Sequence, residues 1–108
     1  MNKKYELTAE TIEIDGRILH RIRALRDFSD VKAGDIGGFI QKENNLSHNG
    51  ICWIYDDARV YGDAQVFGNA KIFDNAVVTE KAIVYDTAQV YRNVWVGGNA
   101  LICDVTLS

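Results

Sequence analysis

A six-residue repeat runs through the second half of the chain without interruption and constrains the fold more than any other feature. Small residues occupy the first position of nine consecutive units: Cys52, Ala58, Ala64, Ala70, Ala76, Ala82, Ala88, Val94 and Ala100. β-Branched residues follow two positions later: Ile54, Val60, Val66, Ile72, Val78, Val84, Val90, Val96 and Ile102. A short fixed period is typical of stacked coils, in which each repeat buries its apolar face only against its neighbours.

The spacing of the two columns predicts which side chains face inward. In an extended segment, residues i and i+2 point to the same side, so both columns face the interior and the residues between them face out. Turn residues close many units: Gly62-Asp63, Gly68-Asn69, Asp74-Asn75, Asp86-Thr87 and Gly98-Asn99. Because Gly, Asn and Asp tolerate positive φ, each unit is predicted to end in a sharp corner.

Residues 60–65, 66–71 and 96–101 resemble the hexapeptide repeat of left-handed parallel β-helices. This resemblance implies a triangular prism with three hexads per coil, so residues 52–105 would form about three coils. Segments 5–8, 23–28 and 34–40, which lead into the repeats, resemble small uncharacterised proteins encoded by phages and prophages. The predicted fold is therefore all-β: a left-handed parallel β-helix with an N-terminal β-hairpin and loop as a cap.

The chain divides into an N-terminal β cap with a transition loop, residues 1–49, and the repeat β-helix, residues 50–108, in one compact unit. Residues 11–14 and 17–22 flank Asp15-Gly16, a preferred two-residue turn, and predict a hairpin. Counting back in sixes from Cys52 reaches Leu46 and Ile40. The polar residues between 40 and 51 nevertheless favour a transition loop.

Composition excludes several classes of protein. No stretch approaches the ~20 apolar residues of a membrane span and no apolar leader follows Met1, so a cytoplasmic location without membrane contact is expected. Cys52 falls in an inward column and Cys103 in an outward one, which disfavours a disulfide. No Cys/His spacing indicates a metal site or a cofactor.

Charge is divided unevenly along the chain. Residues 1–49 carry eight Lys/Arg and eight Asp/Glu, so the net charge of −3 belongs to the repeats. An acidic solenoid is a poor ligand for a phosphate backbone, and nucleic acid is not an expected partner. The exception is the cluster of Arg17, Arg21, Arg23 and Arg26. We expect these side chains to be solvated or paired with nearby carboxylates; nucleic acid or an acidic protein are the alternatives.

The hexapeptide-repeat resemblance also implies acyl transfer as an alternative activity. Enzymes of that kind are trimers that use a histidine base at a subunit interface and usually a loop extruded at one corner. This chain has only His20 and His48, both outside the regular coils, and its register contains no insertion. His48 is expected to be a solvated loop residue and His20 a packing residue, so no catalytic residue is predicted and the protein is not expected to be an enzyme.

An eighteen-residue coil sorts the outward residues onto three walls. Wall one comprises Trp53, Tyr55, Lys71, Phe73, Gln89 and Tyr91. Wall two comprises Arg59, Tyr61, Val77, Thr79, Trp95 and Gly97. Wall three comprises Gln65, Phe67, Ile83, Tyr85, Leu101 and Cys103. Five of these last six are apolar or aromatic, and such patches rarely stay exposed on a monomer.

Wall three has three possible roles: a surface covered by the hairpin, a homo-oligomer interface, or a docking surface for a foreign protein. The predicted protein-interface residues are Phe67, Ile83, Tyr85, Leu101 and Cys103. Aromatic and arginine side chains are favoured interface anchors. The predicted partner-binding residues are Trp53, Tyr55, Phe73, Tyr91, Trp95 and Arg59.

These expectations converge on a non-catalytic protein-binding scaffold. The resemblance to phage-encoded chains sharpens this to an accessory or counter-defence protein that inhibits a host protein machine by occupying its surface. Its partners would be itself, as a dimer or trimer, and a host protein. One alternative is a degenerate acyltransferase with His48 at a subunit boundary. Another is a small-ligand sponge that holds a nucleotide-like anion near Arg59 or Arg23.

Overall fold

The repeats fold into a parallel β-solenoid, seen here in a computed structural model that describes residues 3–108. Every sixth residue from Gly50 to Asp104 has a positive φ, between 54° and 72°. The chain therefore turns at a constant interval, and the short strand between two turns pairs with the strand one coil away. This outcome confirms the predicted all-β repeat fold, whereas its left-handedness stays a prediction.

The strands of the solenoid lie on the three predicted walls. Wall one holds β4 (Trp53–Ile54), β7 (Lys71–Ile72), β10 (Gln89–Val90) and β13 (Thr106–Leu107). Wall two holds β5 (Arg59–Val60), β8 (Val77–Val78) and β11 (Trp95–Val96). Wall three holds β6 (Gln65–Val66), β9 (Ile83–Tyr85) and β12 (Leu101–Cys103). All neighbouring strands within a wall are parallel and in register at eighteen-residue spacing, except at β13.

The core is built from the two columns identified in the sequence. The first column is fully buried from Cys52 to Ala88, and the second is buried from Ile54 to Val96. Alanine in one column leaves room for the β-branched residue of the other, so both columns fit into the narrow interior. Val94, Ala100 and Ile102 are only partly buried and pack against this cluster.

An N-terminal hairpin precedes the solenoid, as predicted. Strands β1 (Tyr5–Ile14) and β2 (Arg17–Ala24) pair antiparallel around Asp15-Gly16, whose φ values of 52° and 77° suit a tight hairpin turn. Strand β3 (Ile36–Ile40) pairs antiparallel with β2 and parallel with β5. The hairpin therefore extends the sheet of wall two and does not cover wall three.

The stack of coils begins earlier than the sequence indicated. Ile40 pairs with Val60, and Leu46 forms a parallel bridge with Val66, so both belong to a coil that precedes the first regular one. Each pair is twenty residues apart, because a loop around Gly50 adds two residues to the period. The solenoid thus has about four turns instead of three, and residues 40–51 are not simply a transition loop.

A short 3₁₀ turn, Glu43–Asn45, leads into Leu46 and is closed by the buried side chain of Asn45. Its Nδ2 donates to the carbonyls of Gly62 (3.2 Å) and Ala64 (2.8 Å) in the next coil. Its Oδ1 accepts hydrogen bonds from the backbone of Gln41 and Lys42. Within residues 3–108, no helix is long and apolar enough to cross a membrane.

Candidate functional site

Wall three is an apolar surface of the solenoid that the N-terminal hairpin does not cover. Leu101 is 66% exposed and Phe67 is 37% exposed, while Ile83, Tyr85 and Cys103 are half-buried. The rings of Phe67 and Tyr85 stack at a centroid distance of 5.3 Å and an angle of 16°. None of the six outward side chains on this wall is charged, so the surface is flat, apolar and rigidly held by the β-sheet.

The two edges of wall three differ in charge. The strands of wall three begin at the corner formed by residues 62–63, 80–81 and 98–99, here called corner two. This corner forms a groove of about 390 Å³ whose lining includes the cations Arg17, Lys42 and Lys81. Two carboxylates, Asp63 and Glu80, share that groove, and Lys42 Nζ lies 2.9 Å from Asp63 Oδ1.

At corner three, where the strands end, Asp86, Cys103 and Asp104 bring their carboxylate oxygens and Sγ within 4.8 Å of one another. Asp104 Oδ1 also accepts a hydrogen bond from the Thr87 hydroxyl at 2.8 Å. The strands of wall three therefore run from a corner of mixed charge, with three cations and two carboxylates, to an acidic corner.

Wall one carries the predicted aromatic ladder, with one correction. Phe73 contacts Tyr55 edge-on at 6.3 Å and stacks on Tyr91 at 4.7 Å, so these three rings form a continuous row. Trp53, however, is only 1% exposed and lies beneath Phe28, with ring centroids 5.2 Å apart. The prediction that Trp53 is open to a partner is wrong, because the segment after β2 folds over this end of the wall.

Tyr55 is tied to the same segment. Its hydroxyl donates to Asp30 Oδ1 at 2.8 Å, and burial together with this carboxylate raises the pKa of Tyr55. The sequence contained no local signal for this covering, because Phe28 and Asp30 lie in an irregular segment without periodicity. Phe28 and Asp30 contact Trp53 and Tyr55 but make no such contact with Phe73 or Tyr91. The aromatic row therefore stays uncovered at Phe73 and Tyr91.

Wall two is mostly covered, and only its last strand presents a large side chain to solvent. Tyr61 and Val77 are buried with Leu19 and Phe39 in a second, smaller cluster beneath the hairpin. Trp95, in contrast, is 62% exposed. Arg59 is partly buried, and its Nε has no hydrogen-bond partner among residues 3–108.

The N-terminal arginines are largely engaged within the chain, as expected for paired side chains. Arg21 binds Glu10 (2.9 Å) and Asp57 (3.0 Å) and lies 4.2 Å from the centroid of the Phe39 ring. Arg23 forms a salt bridge with Glu6. Arg26 donates to the carbonyl of His48 at 3.0 Å. Arg17 lies over the Tyr61 ring and is the member of the cluster that faces the corner-two groove.

His48 is fixed in place by the surrounding residues and is not the solvated loop residue that the sequence suggested. Its ring stacks on Tyr5 at 4.1 Å, and its Nδ1 accepts a hydrogen bond from the backbone N–H of Lys4 at 3.1 Å. The neutral ring therefore carries its hydrogen on Nε2, which lies 2.9 Å from Glu43 Oε1. The hydrogen bond with His48 and the salt bridge with Lys3 lower the pKa of Glu43. Both ring nitrogens are thus occupied.

A groove of about 920 Å³ lies beside His48 and reaches Phe67 on wall three. Leu46 and Val66 line its apolar side, and Lys3 lines its polar side. His20, the other histidine, is partly buried, and its Nδ1 lies 3.0 Å from the carbonyl of Thr8. This contact agrees with the packing role expected for His20.

A buried lysine was missed by the sequence analysis. Lys4 is fully buried, and its Nζ donates to the Cys52 carbonyl at 2.6 Å and lies 3.3 Å from Cys52 Sγ. Burial lowers the pKa of Lys4 and raises that of Cys52. The amine satisfies a carbonyl at the start of the first regular coil, so its role is structural. Both cysteines are free, as predicted.

These features define a β-solenoid with one uncovered apolar wall, and comparison with known proteins agrees with the fold. Residues 54–68 match the family model described as the YdcK β-solenoid repeat. Over 66 residues, 54% of this chain, the sequence is 39% identical to a protein of Escherichia coli (strain K12) named uncharacterized acetyltransferase YdcK. The match covers 20% of that relative, so the chain spans only about a fifth of its length. The predicted hexapeptide-type repeat is thereby confirmed.

Proposed function

We propose that this protein is a non-catalytic scaffold that binds other protein chains through the outward faces of its solenoid. The observation that carries the proposal is wall three, where Phe67 and Leu101 are exposed although the same chain covers most of wall two. Burial of such a patch is favourable at roughly 25 cal/mol per Å² of apolar surface. A rigid sheet also loses little conformational entropy when it binds.

The state of the histidines supports a function without catalysis. A general base needs a ring nitrogen that can accept a proton from the substrate. The Nδ1 atom of His48 already accepts from the Lys4 backbone, and its Nε2 faces Glu43. A substrate would have to displace one of these contacts together with the stacked Tyr5 ring.

Aromatic side chains on the other two walls offer further candidate contacts for a foreign partner. Trp95 projects from the last strand of wall two, and the row of Phe73 and Tyr91 lies on wall one. Aromatic side chains at the rim of a rigid body are typical binding anchors. The narrower proposal is that this protein is encoded by a phage and acts in the host cytoplasm. There it would use these aromatic side chains to occupy the surface of a host protein machine.

The scaffold proposal is tested by tagged capture from bacterial lysate and by the solution mass of the purified chain. We expect either a defined oligomer or a stoichiometric partner, with Leu101→Lys reducing the first or Trp95→Ala reducing the second. A matched control is Thr11→Lys, which adds the same charge at an exposed position of β1, away from wall three. A strict monomer that captures nothing in stoichiometric amount would refute the proposal.

Acetyl transfer is the second candidate, because the relative that matches half of this chain is named as an acetyltransferase. In that case the groove beside His48 would hold the acyl donor. Calorimetric titration with acetyl-CoA checks it: binding that disappears in His48→Ala, while the variant stays folded, would favour an enzyme. Absence of heat with the wild-type chain would leave the scaffold proposal standing.

A further inference from the structure

We propose that wall three binds wall three of a second copy of this chain, around a two-fold axis parallel to the solenoid axis. This inference rests on the proposed function, because it takes wall three to be a protein-binding surface. It adds the identity of the occupant and the direction in which the two copies lie. Two observations lead to it: the apolar face and the different charge of its two edges.

The apolar face accounts for the attraction but not for the choice of partner. Its outward side chains are uncharged, and the most exposed is Leu101. In a two-fold arrangement the same patch serves both copies, so one exposed surface is sufficient to build the interface. Two flat β-sheets pack well face to face, at a separation of about 10 Å.

The charges at the edges decide the orientation. Corner two carries Arg17, Lys42 and Lys81 beside Asp63 and Glu80, and Lys42 is already paired with Asp63. Lys81 is exposed and has no salt bridge within residues 3–108.

Corner three is acidic. Asp86 and Asp104 are exposed there, their carboxylates lie close together, and no cation pairs with either in the part of the chain that the structure describes. Two neighbouring carboxylates repel each other, so this corner gains from an added cation.

Two orientations can bring wall three onto itself. With the two-fold axis parallel to the solenoid axis, the strands of the two copies run in opposite directions, and corner two of each copy faces corner three of the other. Coils of equal height then meet, so Lys81 of each copy lies opposite Asp86 of the other. With the axis along the strands, like corners would meet, and the acidic pairs would oppose each other. Repulsion between like charges excludes that second arrangement.

A charge exchange tests both the partner and the orientation. We expect the wild-type chain to have twice the monomer mass by light scattering. Lys81→Glu and Asp86→Lys should each weaken dimerisation by about tenfold or more, because each creates two like-charge contacts across the axis. The double variant with both changes should restore it. Lys71→Glu, on wall one, is the matched control and should leave the dimer unchanged.

The outcomes separate this inference from the proposed function. A dimer that is insensitive to the two single changes, a double variant that fails to restore it, or a trimer overturns the inference, and wall three remains a protein-binding surface. A monomer that loses a stoichiometric foreign partner in Leu101→Lys also overturns the inference alone. A monomer whose capture of any partner is unaffected by changes on every wall overturns both.

Discussion

Some corner residues adopt a strained backbone conformation that keeps the six-residue period of the repeat. Glycine and aspartate occupy most of the positive-φ positions, but Glu80 (φ 61°) and Arg92 (φ 58°) occupy two of them. A residue with a Cβ in the left-handed region costs roughly 1–2 kcal/mol. The backbone N–H of Arg92 donates to Asp74 Oδ2 at 3.0 Å, and the backbone N–H of Asp74 donates to Asp56. Because the donor is the backbone, these hydrogen bonds between corners do not depend on the side chain of the donating residue.

Arg92→Gly should therefore be more stable than Arg92→Ala. The difference in the free energy of unfolding should be about 0.5–1 kcal/mol, because relief of the left-handed strain exceeds the entropy that glycine gains in the unfolded chain. Both variants lose the contact of the guanidinium with Tyr91, so the comparison isolates the backbone. Urea denaturation measures it. At Gln89, which lies inside β10, Gln89→Ala should be more stable than Gln89→Gly. If Gln89→Gly were the more stable variant, the explanation by left-handed strain would be contradicted.

Glu43 links stability to pH through its contacts with His48 and Lys3. Its pKa lies below the ordinary value of 4.5 in the folded state, so the unfolded chain binds the proton more readily. The stabilisation is present above that value and is lost as the pH falls through the folded pKa. Between about pH 7 and about pH 3.5, the wild-type chain should lose more stability than Glu43→Gln does, measured by urea denaturation at both pH values. Glu13→Gln, on the exposed face of β1, should behave like wild type.

Among the elements, β3 depends most strongly on particular residues. It passes so close to the first regular coil that a Cβ on Gly37 would lie 2.6 Å from the Ile54 carbonyl oxygen and 2.8 Å from the Trp53 ring. Gly38 is similarly crowded by Ala58 and Ile54. These two glycines allow β3 to join the parallel ladder of wall two while the hairpin extends the same sheet.

Gly37→Ala should destabilise the protein by about 1–3 kcal/mol through overpacking, measured by thermal or urea unfolding. Gly97→Ala is the control. A Cβ there would meet Glu80 Oε1, the end of a side chain that can move away. We expect Gly97→Ala to stay within about 0.5 kcal/mol of wild type. Equal losses at both positions would show that the close approach of β3 is not the cause.

The regular elements could be predicted from the sequence, and the irregular ones could not. The alanine and β-branched columns have a strict period, so their burial follows from spacing alone. A count back in sixes from Cys52 reaches Leu46 and Ile40 but assigns them to the alanine column, because the loop around Gly50 adds two residues; in the structure they pair with Val66 and Val60 of the β-branched column. Asp15-Gly16 marked the hairpin, yet nothing local indicated on which wall it would lie.

At the scale of the whole molecule, the segments that contain Tyr5 and Phe28 cap one end of the solenoid and cover one end of wall one. Trp53 is enclosed there by Phe28 and by Tyr5, whose hydroxyl donates to the Leu46 carbonyl. The two tryptophans of the chain consequently have different roles, although both occupy outward positions of the repeat. Trp53 belongs to the core, whereas Trp95 is on the surface.

Trp53→Ala should destabilise the fold by about 3–5 kcal/mol because it leaves a cavity. Trp95→Ala should change the free energy of unfolding by less than about 0.5 kcal/mol. Denaturation curves of the two variants distinguish these roles. If a partner is captured through the aromatic surface, only Trp95→Ala should lose it while remaining folded. Similar destabilisation in both variants would contradict the assignment of Trp53 to the core and Trp95 to the surface.

The candidate site was only partly accessible to sequence reasoning. Outward residues of wall three, such as Phe67 and Leu101, follow directly from the period, because a strand alternates its faces. The covering of Trp53 depends on contacts with residues far away in the chain. So does the fixed position of His48, which is set by Tyr5 and Lys4. No periodic pattern encodes such contacts, and only the folded chain reveals them.

The unbroken run of corners from Gly50 to Asp104 has a consequence for how such a chain can change in length. An insertion of one to five residues would break the register of the later units unless a loop took it up, as the loop around Gly50 takes up two extra residues. An insertion of six would preserve the interior but transfer each later side chain to the neighbouring wall, so Leu101 would leave the surface shared with Phe67. Where no loop takes up the difference, only whole tiers of eighteen residues can be added or lost without rearranging every face, and growth of the regular coils is therefore quantised.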